Sequence, residues 1–412
     1  MNPVVGLDVS KGESRVQGFM SKGKPFRKGF SILHNLEGLR ALVEFLKEVE
    51  ECTGQRPPVV LESTGHYHVP VVQFLENRHY VLIIVNPLIS YRGKSSSLRK
   101  VKTDAIDAYH LCELYYKEEL EPYKKRGVQL LNLRNLTRQH ENLTEMFVQM
   151  KLQFQAVVDQ VFPEYRGVFF ELYSNVSLRT LSEFPSSEDI MEVKEAELAH
   201  KIAEYCPSRS EKWAKEKATR LKEAAARNPF TKVLYQSHIL SIRMYIEMLL
   251  QYKEHLSKLE AEIDALAKEF EEYTIIKSIP GIGDKIAATI ISEIGEIDRF
   301  SHPKKLVAFA GIDPSVFESG KFSATTTRIT KRGSSRLRRA LFSAARCAIQ
   351  DRRNKKAAPN ELLARNKKLR EYYDKKRLEG KAYKVTLIAC VNKLLHWIFA
   401  LLNNKTFFQD IA

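Results

Sequence analysis

Hydrophobic positions change their period along this chain, and the change divides it into three parts. In the first third, short apolar runs alternate with amphipathic stretches. PVVGLDVS (Pro3 to Ser10) reads as a β-strand closed by Lys11-Gly12. SRVQGFM and KPFRKGFSI follow as two further strands across a glycine-containing turn, so the first three strands are expected to form an antiparallel meander. LEGLRALVEFLKEVEE (Leu36 to Glu51) places Leu39, Leu42, Val43, Leu46 and Val49 at helical spacing. PPVVLESTG supplies a fourth strand ending at Glu62, a helix runs through Val69, Val72 and Leu75, and YVLIIVNP (Tyr80 to Pro87) is the fifth strand. A helix beginning near Asp104 then offers Ala108, Leu111, Cys112 and Tyr115 to a core.

The order strand, strand, strand, helix, strand, helix, strand, helix is that of the ribonuclease H fold, a mixed five-stranded sheet covered by helices. The middle of the chain has heptad spacing instead. Leu136, Leu143, Phe147, Met150, Phe154, Val157 and Val161 form one seam, with His140 at a skipped position. Ile242, Tyr245, Leu249, Tyr252, Leu256, Leu259, Ile263, Leu266 and Phe270 form a second, on a helix about 43 Å long at 1.5 Å per residue. Spacing alone leaves open whether the seams pair within one chain or between two. The intervening stretch, 162–233, is less periodic and reads as a spacer or a nucleic-acid-facing arm, with Ser186 or Ser187 capping a short helix. The expected organisation is α/β plus α: residues 1–127 as the sheet domain, 128–275 as a helical coiled-coil region with an insertion, and 276–412 as a mainly helical domain.

Charge adds a partner. The chain carries a net charge of +16, and the segment from Lys321 to Lys384 holds 21 Lys and Arg against 5 Asp and Glu, a surplus equal to that of the whole chain. A polyanion such as nucleic acid is therefore expected to meet the C-terminal part first. Tyr372, Tyr373 and Tyr383 are interleaved with these bases and suit stacking. No amphipathic anchor accompanies the basic run, and the apolar stretch Val385 to Leu402 is interrupted by Asn392, Lys393 and His396, so a buried terminal helix is expected and no membrane association. Five scattered cysteines without a CxxC pair point away from disulfides and zinc and towards a reducing compartment. With no signal peptide read before the first strand, a cytoplasmic location is expected.

The candidate chemistry starts with acids in unfavourable places. Asp8 interrupts a core-like strand between Leu7 and Val9, and Glu62 ends the apolar run Val59, Val60, Leu61. In a ribonuclease H arrangement these two strands lie side by side. Asp104 and Asp107, three residues apart at a helix start, share one helix face. Each acid taken singly suits a turn or a helix N-terminus, where carboxylates are favoured anyway. Four brought together repel unless neutralised, and oxygen ligands of this kind suit two Mg²⁺ ions, with Mn²⁺ as the alternative, which clamp the attacking and leaving oxygens of a phosphoryl transfer.

In the last third, SIPGIGDKIAATIISEIG has the form of a helix-hairpin-helix element. Gly281 and Gly283 permit a tight turn whose amides, with Lys285 nearby, suit a nucleic-acid phosphate; an ordinary glycine turn between packed helices is the other reading. Further on, Arg328, Lys331, Arg332, Arg336, Arg338 and Arg339 gather after a Ser319-Gly320 step. Such arginines bind phosphates well. On residues alone Ser319 is a turn serine without an activating histidine, and Ser315, Ser323 and Ser334 stand near it.

GLDVSK, LESTG and KTDAIDA, in this order, followed by ESG and the basic ITKRGSSRLRRAL block, resemble the DEDD transposases of the insertion-sequence-110 family, which includes the Piv DNA invertases. The resemblance implies a RuvC-like N-terminal domain with its four catalytic acids at Asp8, Glu62, Asp104 and Asp107, and a catalytic serine at Ser319 that forms a covalent link to DNA. It also implies donor and target DNA as partners, a structured non-coding bridge RNA, a homo-oligomer (dimer or tetramer), and acids and serine contributed by different protomers. A Piv-type invertase, a junction endonuclease using metal-activated water, and a non-catalytic nucleic-acid binding protein are the competing readings.

Overall fold

The computed structural model describes residues 2–63, 65–87, 89–90, 104–123, 127–229, 236–315, 318–319, 322–323, 328–353 and 362–409. At residues 104, 105, 318, 319, 322, 323, 352, 353, 362 and 363 the description extends to the backbone only. The chain separates into two compact units, Met1–Lys125 and Arg126–Ala412.

The first unit contains β1 (Val4–Val9), β2 (Glu13–Ser21), β3 (Lys24–Pro25), β4 (Phe30–Leu33), α1 (Leu36–Thr53), β5 (Val59–Glu62), α2 (His68–Glu76), β6 (Leu82–Val85) and α3 (Asp104–Lys117). Its strand order is β3-β2-β1-β5-β6, with β4 also paired to β2. β1 is antiparallel to β2 but parallel to β5, which is parallel to β6, so the sheet is mixed. The expected third strand is divided: β3 pairs with Phe19 and Ser21, and β4 with Glu13 to Val16. Between them the Gln17 side-chain amide donates to Arg27 O at 2.9 Å, where a continuous strand would have carried a ladder bond. Six strands therefore replace the expected five.

Side-chain alternation gives the sheet two apolar faces. Val5, Leu7, Val9, Val59 and Leu61 pack with α1 and α2 through Leu42, Leu46, Val71 and Leu75. Val4, Val60, Ile83 and Val85 pack with Leu111, Cys112 and Leu114 of α3. α1 starts where the Asn35 side chain accepts the Gly38 N–H at 2.8 Å, and ends at Gly54 in the left-handed region, φ +69°.

In the second unit α4 (Val128–Val161) and α9 (Gln236–Ala267) pack along each other, so the two heptad seams meet within one chain. His140 Nε2 lies 3.1 Å from Glu260 Oε1 across this seam, which accounts for the polar residue at the skipped position. Between the long helices, α5 (Asn175–Glu183), α6 (Ser187–Glu192), α7 (Glu195–Tyr205) and α8 (Glu211–Arg227) share a core with Phe154, Val158, Ile242 and Leu249. Ser186 caps α6, and Asp189 returns the bond. The segment read as a spacer is thus a folded insertion. Three of its helices are short, and α8, the long one, buries mainly alanines (Ala214, Ala218, Ala224, Ala225) with Leu221, so no strongly apolar heptad shows in its sequence.

The remaining helices are α10 (Glu271–Lys277), α11 (Asp284–Ile294), α12 (Pro303–Ala310), α13 (Ser335–Ile349), α14 (Lys367–Leu378) and α15 (Tyr383–Asn404). They enclose a core that also takes in Leu133, Ile263 and Ala267 from the base of the long helices. Two short hairpins accompany them, β7 (Glu318–Ser319) with β8 (Phe322–Ser323), and β9 (Asp351–Arg353) with β10 (Leu362–Ala364). α15 is long and apolar enough to cross a membrane by length and composition, with a mean hydropathy of 1.8. Here its Leu387, Val391, Leu394, Leu395 and Ile398 are buried in the core of this unit.

Candidate metal centre and nucleic-acid contacts

The parallel pairing of β1 with β5 sets Leu7 opposite Leu61, so Asp8 and Glu62 are the next residues on neighbouring strands. By alternation both share the face of Gly6 and Val60, which α3 covers. Both are half-buried. α3 runs antiparallel to β1: near its end Tyr116 Oη donates to Asn2 O at 2.6 Å, and one turn earlier Cys112 Sγ donates to Gln17 O at 3.2 Å. A Cβ added at Gly6 would stand 2.4 Å from Ala108 O, so the helix rests directly on the strand backbone. The first turn of α3 accordingly lies over the end of β1 that carries Asp8. Asp107, 9% exposed, immediately precedes the contact at Ala108. Asp104 starts the helix, and its side chain lies outside the described residues.

Ser90 joins this group. Its hydroxyl donates to Glu62 Oε2 at 2.5 Å, and it lines a small cavity together with Asp107 and His110. Among the described residues no three His, Cys, Asp or Glu side chains stand close enough to share an ion. The donor set itself, carboxylate oxygens at one sheet edge, fits a hard divalent cation. Two residues of this region escaped the sequence reading. Gly6 carried a signal, since a glycine inside a strand marks close approach by another backbone. Ser90 carried none.

Ser319 pairs with Phe322 in the β7–β8 hairpin, with Gly320 and Lys321 between them. At the base of this segment Pro314 bridges Ile329, and the backbone N–H and hydroxyl of Ser315 both donate to Arg328 O at 2.8 Å. Ser334 caps α13 and donates to Glu293 Oε2 at 3.0 Å. The hydroxyls of Ser315 and Ser334 are thus already engaged. Ser323, like Ser319, has its side chain outside the described residues.

The basic residues divide into two groups. Arg328, Lys331 and Arg332 are exposed at the hairpin base. The others are paired within the protein, Lys285 and Arg339 while still exposed. Arg338 Nη1 donates to Ala310 O at 2.9 Å, Arg336 pairs with Glu141, and Arg339 pairs with Glu141 at 2.7 Å and Glu145 at 2.6 Å. Lys285 pairs with Glu260. Behind them the fully buried Glu293 accepts from Arg138 Nε at 2.7 Å and pairs with Arg134 at 3.3 Å. Burial alone would raise its pKa, but Arg138, Arg134 and the Ser334 hydroxyl together hold it at about 2.

The glycine turn joins α10 to α11. Gly281 has φ +104°, and a Cβ there would come within 2.5 Å of Ala348 Cα on α13. Packing by itself accounts for that glycine. Gly283 faces open space. Asp284, the first residue of α11, is bound by the Tyr273 hydroxyl at 3.1 Å and by Lys277.

Two family models match the chain. Residues 5–163 match that of the IS110-type DEDD proteins, described as "Transposase", and residues 273–360 match "Transposase IS116/IS110/IS902 family". Among curated proteins, the chain is 28% identical over 153 residues to "Insertion element IS110 uncharacterized 43.6 kDa protein" of Streptomyces coelicolor, covering 37% of this chain and 34% of that one. It is 34% identical over 112 residues to "Transposase for insertion sequence element IS1111A" of Coxiella burnetii, covering 27% and 30%. These matches span about a third of each relative's length. Among solved structures, "T. thermophilus RuvC in complex with Holliday junction substrate" matches 30% of this chain and 100% of its own, at 10% identity and a TM-score of 0.23. The two matched segments together take in more than half of the chain and lie on either side of the helical insertion, and the chain belongs to the IS110 family of DEDD transposases.

Proposed function

We propose that this chain is a DNA transposase that cuts and rejoins strands by phosphoryl transfer, with Asp8, Glu62, Asp104 and Asp107 as its metal-binding acids and Ser319 as its nucleophile. The observation that carries this reading is the adjacency of Asp8 and Glu62 on parallel strands, on the face where α3 brings its first turn. A divalent cation, Mg²⁺ by the family resemblance, would supply Lewis-acid stabilisation of the charge that develops on the transferring phosphate. Ser90 orients Glu62 by donating to one of its carboxylate oxygens.

Serine suits strand exchange for a chemical reason. When its Oγ attacks phosphorus, a new P–O bond forms as the bond to a deoxyribose oxygen breaks, and the ester is conserved in the protein–DNA link. A second deoxyribose hydroxyl then reverses the step on a new strand without an external energy source, which hydrolysis by water does not allow. The exposed Arg328, Lys331 and Arg332 at the hairpin base would hold the DNA phosphates beside it. Donor and target DNA, a structured bridge RNA and assembly into a dimer or tetramer complete the reading, on the strength of the family resemblance.

The test is covalent trapping. The full chain, with Mg²⁺, element-end DNA and the adjoining non-coding RNA, should yield a protein–DNA adduct on denaturing gels. The adduct should disappear in Ser319→Ala and Asp8→Asn while fluorescence anisotropy still reports nucleic-acid binding. Strand exchange that survives Ser319→Ala would overturn the serine step in favour of metal-activated water.

A further inference from the structure

The end of α15 and the segment after it form a groove that the proposed reaction does not use. A cavity of about 400 Å³ is lined by Trp397, Leu401, Phe407, Phe408 and Lys368 of α14, and no carboxylate lines it among the described residues. The Trp397 and Phe408 rings stand with centroids 5.4 Å apart, and the Phe408 N–H donates to Ser278 Oγ at 2.8 Å, which fixes this wall to the glycine turn. Phe407 is 56% exposed. Lys393 Nζ lies 5.9 Å from the Trp397 ring and 5.4 Å from that of Tyr372, extending the aromatic surface along α14.

Aromatic rings beside lysines, Phe407 exposed and Trp397 partly so, in a chain of net charge +16, match one ligand chemistry best. Such a surface accepts the face of an unstacked base on its rings and the phosphodiester on its lysines. A duplex offers no free base face, so it is discriminated against. An apolar peptide would leave the lysines without a counter-charge. We infer that this groove binds single-stranded nucleic acid by stacking a base on Trp397 and Phe407, with Lys368 and Lys393 taking the flanking phosphates. The inference rests on the reading of this chain as a nucleic-acid enzyme, and it deepens that reading by naming where an unpaired segment docks.

The chain has two tryptophans, so Trp213→Phe leaves Trp397 as the sole indole. In that full-length variant, oligo(dT) and oligo(U) should quench the emission to saturation, while a duplex of equal length should not; the two oligonucleotides report whether DNA or RNA is preferred. Trp397→Ala should weaken single-strand binding by about tenfold, as expected for loss of one stacked base, and leave duplex affinity by anisotropy within about twofold. Phe407→Ala, at an exposed position, should show the same selective loss and covers the case in which Trp397→Ala impairs folding. Absent quenching, equal quenching by duplex, or an unchanged single-strand affinity in Phe407→Ala overturns the inference. Loss of the Ser319 adduct with quenching intact would count only against the proposed reaction.

Discussion

Gly6→Ala is the most discriminating perturbation of the candidate metal centre, because it alters none of the proposed ligands. A Cβ at this position would meet Ala108 O at 2.4 Å, Cys112 Sγ at 2.9 Å and Leu111 Cβ at 3.2 Å. Ordinary contacts begin about 1 Å beyond the first of these distances, and a backbone carbonyl has no rotamer with which to retreat. α3 must therefore lift from β1 by about that amount, at an overpacking cost of roughly 1–3 kcal/mol. The lift carries Asp104 and Asp107 away from Asp8 and Glu62, and a displacement on the order of 1 Å at a reacting centre costs about a hundredfold in rate. The expected result is a folded protein with a modestly lower urea midpoint, near-native DNA binding, and strand cleavage reduced about a hundredfold. Adding Cys112→Ala removes the sulfur contact but not the carbonyl, so the double variant should stay impaired by about a hundredfold. Wild-type cleavage by Gly6→Ala, or rescue by Cys112→Ala, would refute the idea that helix-to-strand distance sets the geometry of the acids.

Two further predictions concern the second unit. Glu293 has a pKa depressed from 4.5 to about 2, so its contribution to stability is present above about pH 4.5 and is lost as the pH falls towards 2. That difference corresponds to roughly 3 kcal/mol, and Glu293→Gln should lower neutral-pH stability by about this amount in urea titrations and flatten the acid limb; equal acid limbs in the two proteins would sink the assignment. Separately, Glu141→Gln with Glu145→Gln releases Arg336 and Arg339 from their ion pairs. DNA affinity should rise and its salt dependence steepen by up to about two phosphate contacts; weaker binding would mean that these arginines serve only to join α4 to α13.

What could be read from the chain alone follows from local rules. The strand and helix order of the first unit, both long helices and the buried terminal helix are legible because each is set by a hydrophobic period that a few neighbouring residues express. Asp8 and Glu62 were legible as anomalies, acids where apolar residues belong. The division of the third strand was not, because it depends on the Gln17 side chain reaching Arg27 from a neighbouring strand. Nor was the insertion core, assembled from three short helices and one whose buried face is mostly alanine.

The functional residues divide along the same line. The sequence by itself offered the candidates, namely acids in unfavourable places, several serines in a polar loop and a cluster of cations, and its family resemblance selected Ser319 among the serines. Only the tertiary structure decided that Gly6 sets the approach of α3, that Ser90 holds Glu62, and that Arg336, Arg338 and Arg339 are bound by partners within the protein while Arg328, Lys331 and Arg332 face solvent. The physical reason is that a residue's chemistry is a property of its own atoms. Its availability depends on what the fold sets opposite it, and for Arg339 that partner, Glu141, lies on a helix from another part of the chain.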